Sequence, residues 1–245
     1  MFDAKSLLDQ VIGAASRSGL AQGGKTGGSG DLMSRGKDFL SSNAGGLAAG
    51  GLAGLLLGSK SARKIGGKAV TYGGLALVAG LAYKAYRDYQ TGQQNGGQPP
   101  SPQQRAPLEL EAPRGTAFDP ERAPGGSQIV ARTLLSAMIA AAKADGHIDA
   151  EEQRRIFGKM DEAGLDSESK AFLMDELRAP LDLDKIVNSA TSPETAAEIY
   201  AASRLAIDPD HAAEKAYLQM LAARLNLDPA LVDEIEMAVR EHEMA

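Results

Sequence analysis

Apolar and polar residues follow three different patterns along this chain. Residues 1–20 carry Ala4, Leu7, Leu8, Val11 and Ile12 at helical spacing, which predicts an amphipathic N-terminal helix. Residues 44–90 contain two apolar runs of about fifteen residues each, separated by a short basic loop. Residues 128–245 again place apolar side chains on one face of successive helical segments. These patterns predict an all-α protein.

The C-terminal half is predicted to form a compact bundle of about seven short helices. Three of the predicted helices begin in the same way, with an N-cap residue followed by proline at the first helical position. These starts are Ser192-Pro193, Asp208-Pro209 and Asp228-Pro229. Asp149 and Glu152 have the spacing of a capping box at another helix start.

The first apolar run has a regular glycine pattern. Its glycines recur every fourth residue, so a helix would align them on one face where a second backbone can approach closely. In water this run would form a poor helix, whereas lipid forces backbone groups to bond internally. We therefore predict a glycine-packed membrane hairpin over residues 44–90, with helix packing at Gly46, Gly50, Gly54 and Gly58. The basic loop residues expected at lipid headgroups are Lys60, Arg63, Lys64 and Lys68.

Several arrangements of this hairpin stay open on the sequence. Two spans, one span and a shallow re-entrant hairpin are each compatible with the length of the runs. The second arm would extend over residues 69–86, with Tyr72, Tyr83 and Tyr86 in an interfacial belt. The glycine face also suggests a homo-oligomer. The alternative is a soluble hairpin buried beneath the C-terminal domain.

The remaining segments are predicted to be connections. Residues 21–43 begin rich in glycine and serine, which is typical of a flexible segment. Residues 91–127 hold seven of the 11 prolines and predict a disordered tether. Residues 1–20 lack the apolar core of a secretory signal. We expect this helix to dock on its own protein, or else on a membrane surface or a partner.

Charge is distributed unevenly, although the net charge is only −6. Residues 44–90 carry six Lys/Arg and one Asp, a net charge of +5, which suits anionic lipids. Residues 128–245 carry 12 Lys/Arg and 23 Asp/Glu, a net charge of −11. This acidic half argues against nucleic acid as a partner. The absence of cysteine excludes disulfides, thiolate metal sites and cysteine nucleophiles.

Two acidic turns hold the candidate chemistry. If Gly146 is aligned with position 6 of an EF-hand loop, Asp145 and Glu152 fit positions 5 and 12, but Ala141 and Lys143 replace the first two ligands. A normal calcium site is therefore not expected. We predict instead that one hard divalent cation, Ca²⁺ or similar, is held between two clusters. Their residues are Asp145, Asp149, Glu152, Asp208, Asp210 and Glu214.

Helix capping is the competing explanation for these carboxylates, because Asp149, Glu152 and Asp208 all sit at predicted helix starts. The three histidines, at positions 147, 211 and 242, do not have the spacing of a paired metal motif. His147 and His211 lie next to the acidic turns, and we expect them to be exposed loop or first-turn residues rather than ligands.

Two stretches resemble known families. KADGHIDAEE (143–152) together with residues 206–229 resembles the TerB-like fold of the tellurite-resistance family. LAGLLLGSKSARKIGGKA (52–69), followed by residues 73–86, resembles the YebE-type bacterial inner-membrane proteins, a domain-of-unknown-function family. The resemblance implies an α-helical bundle, attachment to the inner membrane, and metal binding at Asp145, Glu152, Asp208 and Glu214. In the second motif Ile207 takes the place of Asp145, so the two motifs are not symmetric.

Three functions fit these observations. The first is a non-enzymatic, membrane-anchored scaffold or sensor whose acidic turns bind a divalent cation and whose bundle binds a protein partner. The second is a pure protein-interaction module in which the carboxylates serve only as helix caps. The third is a membrane protein that oligomerises through its glycine face. An enzyme is not expected, since no base–nucleophile pair can be placed.

Overall fold

The computed structural model describes residues 2–17, 73–94, 114–144, 156, 160, 165–207, 209 and 212–244. In these residues the chain forms eight helices and no strand, so the all-α prediction is confirmed. The helices are α1 (Ala4–Arg17), α2 (Gly74–Gln94), α3 (Gly126–Ala142), α4 (Ser167–Arg178), α5 (Leu183–Asn188), α6 (Pro193–Ala206), α7 (Ala212–Arg224) and α8 (Pro229–Met244). Ile156 and Met160 are also helical and fully buried.

Helix α2 lies in the interior of the bundle. It packs mainly against α8, and also against α6 and α1. Its side chains from Leu75 to Ala85 are buried except for Ala76 and Tyr83, which are half-buried. A helix that is apolar on every side can be buried either in lipid or in a protein core. The predicted second arm of the membrane hairpin is therefore corrected, because this segment is a core helix in the structure.

The tyrosines of α2 illustrate the same correction. Tyr83 and Tyr86 were expected in an interfacial belt, but both pack against the buried ring of Phe118, with centroid distances of 5.8 and 5.4 Å. Phe118 belongs to the predicted disordered tether. Residues 91–94 continue α2, and residues 114–125 form turns anchored by Phe118. Residues 91–94 and 114–127 are therefore ordered, contrary to the prediction, and the buried ring of Phe118 supplies enough burial to fix the second of these stretches. Residues 95–113 of the predicted tether lie outside the described residues.

Helix α1 docks on α2 and α3 through its apolar face. Its Asp9 carboxylate accepts a hydrogen bond of 3.2 Å from the backbone N–H of Leu75, at the start of α2. Asp3 accepts a 2.8 Å hydrogen bond from the side chain of Gln128 at the start of α3. The ring of Phe2 lies 4.8 Å from that of Phe172. The N-terminal helix thus belongs to the same hydrophobic core as the C-terminal helices.

The local helix starts agree with two of the three predicted proline positions. Ser192 caps α6 by accepting from the N–H of Thr195, and Pro193 is the first helical residue. Asp228 precedes Pro229 at the start of α8 and accepts from the N–H of Ala230 at 2.8 Å. Helix α7 differs, since it begins at Ala212 while Pro209 lies in a preceding turn.

The described helices include none that is both long enough and apolar enough to cross a bilayer. The first predicted arm and the basic loop lie outside the described residues. This applies to Gly46, Gly50, Gly54, Gly58, Lys60, Arg63, Lys64 and Lys68.

Candidate functional site

Glu214 is the predicted cation ligand that falls within the described residues. It lies in the first turn of α7, and only 2% of its surface is exposed. A carboxylate at a helix N-terminus is favoured by the helix dipole, but that effect amounts to only about 0.3–1 kcal/mol at exposed sites. Transferring an ionised carboxylate from water into a protein interior costs several kcal/mol per ion. The position of Glu214 therefore calls for a strong compensating interaction.

The other five predicted ligands, Asp145, Asp149, Glu152, Asp208 and Asp210, lie outside the described residues, as do His147 and His211. Their convergence on Glu214 remains a prediction. Among the side chains that the structure describes, no group of three His, Cys, Asp or Glu is arranged to hold a metal ion.

The EF-hand comparison can be followed at its first two ligand positions, which Ala141 and Lys143 occupy. Ala141 is fully buried in α3. Lys143 points to the end of α4, where its Nζ donates to the backbone carbonyls of Glu176, at 3.0 Å, and of Ala179. Burial lowers the pKa of Lys143. A lysine ammonium engaged with carbonyl groups supplies no metal ligand at this position of the loop.

A buried ionic network joins α6 to α8. Arg204 contacts Glu236 at 2.9 Å and Glu243 at 3.2 Å, and donates to the carbonyl of Ile207 at 3.0 Å. Tyr200 donates to the other oxygen of Glu236 at 3.0 Å. Burial alone would lower the pKa of Arg204, but the two carboxylates outweigh it and raise this pKa. The network fixes how α8 lies on α6.

Our sequence analysis missed this network. Tyr200 and Arg204 are four residues apart, and Glu236 and Glu243 are seven apart, so each pair lies on one helix face. That spacing was a usable signal. It does not identify the partner helix, because acidic residues are abundant throughout residues 128–245.

A second buried charge anchors α2. Lys84 is only 6% exposed and contacts Asp88 at 3.0 Å and Glu241 of α8 at 3.2 Å. Both of its carboxylate partners belong to the helical bundle.

Two buried titratable groups have shifted pKa values. Glu198 of α6 is 4% exposed, and desolvation, with a smaller contribution from Glu194, raises its pKa to about 8. His242 of α8 is 5% exposed, and burial lowers its pKa. His242 faces the interior near the end of α8.

Two of the cavities on the described surface lie beside helix α8. One of about 490 Å³ is formed by α2, the start of α6 and the turn between α7 and α8, with Tyr86, Tyr89 and Asn226 in its lining. The other, of about 470 Å³, lies between α7 and α8 and has Leu218 and Val232 in its lining. Neither cavity includes Glu214.

Comparison with known proteins places this arrangement in a family. The profile described as "Protein of unknown function (DUF533)" matches residues 42–239, which is most of the chain. The chain belongs to the DUF533 family. The predicted membership of a domain-of-unknown-function family is thereby confirmed, while this match does not extend to the TerB-like or YebE-type assignment.

A curated relative of this DUF533 protein is the "Uncharacterized protein in ampR 5'region" of Yersinia enterocolitica. It is 33% identical over 108 residues, covering 44% of this chain and 78% of the relative. No solved structure matches the chain.

Proposed function

We propose that this DUF533 protein is a non-enzymatic helical module that binds a divalent cation at Glu214 and is attached to a bacterial inner membrane. The burial of Glu214 at the start of α7 carries the cation part of the proposal. Hard cations such as Ca²⁺ and Mg²⁺ prefer several oxygen ligands, with carboxylates prominent among them. The acidic turns predicted at Asp145–Glu152 and Asp208–Asp210 would supply the remaining oxygens.

The TerB-like resemblance of residues 143–152 and 206–229 supports the same choice of residues. Membrane attachment is supported by the glycine-rich run that ends at Gly58 and by the four basic residues that follow it. In this proposal the membrane segment positions the acidic bundle near the bilayer, where cation binding changes its stability and its contacts with a protein partner.

The cation part is tested on the full chain, because α1 and α2 contribute to the core. Thermal unfolding would be followed after chelation and after addition of Ca²⁺, Mg²⁺, Mn²⁺ or Zn²⁺ separately. A cation present at a hundred times its Kd should stabilise the protein by about 2.7 kcal/mol, which corresponds to a Tm increase of roughly 5–10 °C for a chain of this size.

Glu214→Gln should abolish this increase, while Glu198→Gln should keep it. The control removes an equally buried carboxylate from a different helix, α6. A Tm that responds to none of the four cations in the wild type would overturn the cation part. The carboxylates would then act as helix caps in a protein-interaction module. Equal loss of the response in both variants would also argue against a site at Glu214.

A further inference from the structure

The cavity of about 470 Å³ between α7 and α8 is a largely apolar groove. Its apolar lining comes from both helices and from the turn that joins them, and includes Leu218, Ala222, Ala223, Leu227, Pro229 and Val232. Leu218 is buried, whereas Ala223 is exposed. Charged residues line the same groove. An apolar centre with a polar rim is the usual composition of a protein–protein interface.

The two walls of this groove carry opposite charges. Lys215 lies on the α7 wall and Asp233 on the α8 wall, and both side chains are exposed. Neither of them forms an ion pair with another residue that the structure describes. The other two charged lining residues, Glu236 and Arg240, contact each other at 3.5 Å. Each wall therefore presents one charge that can still pair with a partner.

This charge distribution favours a second copy of the chain as the partner. Residues 128–245 carry a net charge of −11, so two copies repel each other over most of this surface. A contact between copies needs a face on which the charges balance, and the described lining of the groove has two basic and two acidic residues. A partner with charges of one sign would pair with only one of the two walls.

We propose that this protein forms a symmetric dimer in which the α7–α8 grooves of two copies face each other. A twofold axis places Lys215 of each copy against Asp233 of the other, so this charge pair occurs twice. The apolar lining of the two grooves meets between these pairs, with Ala223 in the contact. The dimer does not depend on the cation site proposed at Glu214, because Glu214 does not line the groove.

A charge exchange tests this interface directly. Sedimentation velocity of the purified full chain, in the same mild detergent throughout, would measure the dissociation constant of the dimer. Lys215→Glu and Asp233→Lys should each weaken the dimer by about tenfold or more, because each change puts two like-charge pairs across the interface. Mixing the two variants should restore the affinity as a heterodimer, since both 215–233 pairs then join opposite charges again.

A substitution in the groove separates this interface from association elsewhere on the chain. Ala223→Glu adds a charged side chain to the apolar lining and should abolish the dimer. Ile129→Glu on α3 is the matched control, because it introduces the same charge at a residue that is 51% exposed and lies outside the groove. It should leave the dimer intact. All four substituted positions are exposed, so the helical circular dichroism should be unchanged.

Three results would overturn the proposal. The first is a wild-type chain that stays monomeric at every concentration reached. The second is a dimer that Ala223→Glu leaves intact, which would place the association on another surface. The third is a failure of the Lys215→Glu and Asp233→Lys variants to associate with each other when they are mixed.

Discussion

Glu198 should make the stability of this protein depend on pH in an unusual direction. Its pKa is about 8 in the folded chain, against 4.5 for an ordinary glutamate. The folded state therefore holds a proton that the unfolded state releases. The stabilising contribution is complete below pH 4.5 and is lost as the pH rises towards 8.

The magnitude follows from the size of the shift. One pKa unit corresponds to 1.36 kcal/mol, so a rise from 4.5 to about 8 corresponds to a limit of about 5 kcal/mol. Water entering around the ionised carboxylate would reduce this limit to a few kcal/mol. Glutamine has the shape of the protonated acid but does not titrate. The unfolding free energy of Glu198→Gln, relative to wild type, should therefore rise by up to about 1.4 kcal/mol per pH unit between pH 4.5 and about 8.

Urea denaturation followed by circular dichroism would measure this difference at several pH values. Comparison with wild type at each pH isolates Glu198 from His242, whose lowered pKa reduces stability as the pH falls below 6.5. Glu194→Gln is the matched control, one turn earlier on the same helix and less buried. It removes only the smaller cause of the shift and should leave most of the pH dependence. A Glu198→Gln difference that stays constant from pH 4.5 to 8 would refute the reasoning.

Three further predictions concern the packing of the bundle. A fragment of residues 128–245 lacks α1 and α2 and therefore exposes the apolar face that α2 covers. It should show no cooperative thermal transition by circular dichroism. A sharp transition would contradict the inclusion of α1 and α2 in the same hydrophobic core as the C-terminal helices. Gly74→Ala should cost about 1–3 kcal/mol in urea denaturation because its Cβ would meet the backbone of Leu8, and unchanged stability would show that α1 does not dock there. Arg204→Met should cost about 3–5 kcal/mol because the half-buried carboxylates of Glu236 and Glu243 lose their guanidinium partner, and adding methionine at both positions should recover most of that loss. No recovery would show that the network itself stabilises the fold.

The success of the helix predictions has a local cause. Ser192-Pro193 and Asp228-Pro229 begin helices because the capping side chain and the fixed φ of proline act on their immediate neighbours. The apolar spacing of α1 and α3 likewise depends on the geometry of one helix at a time. Helix starts and apolar spacing therefore depend only on residues that are close together in the sequence. The burial of Glu214 is different, because its spacing suggested a cation ligand but did not show that α7 would turn it inward.

Helix α2 shows most clearly what the sequence determined and what it left open. Its sequence predicts a helix that is mainly apolar from Leu75 to Ala85 and that must bury most of this length. The sequence did not show whether this helix lies in lipid or in a protein core. An apolar helix whose backbone groups bond internally is stable in either environment. Only the tertiary structure decided between them, by packing α8, α6 and α1 around α2 and pairing Lys84 with Glu241. Helix formation depends on contacts within a few residues, whereas the choice of environment depends on residues far away in the chain.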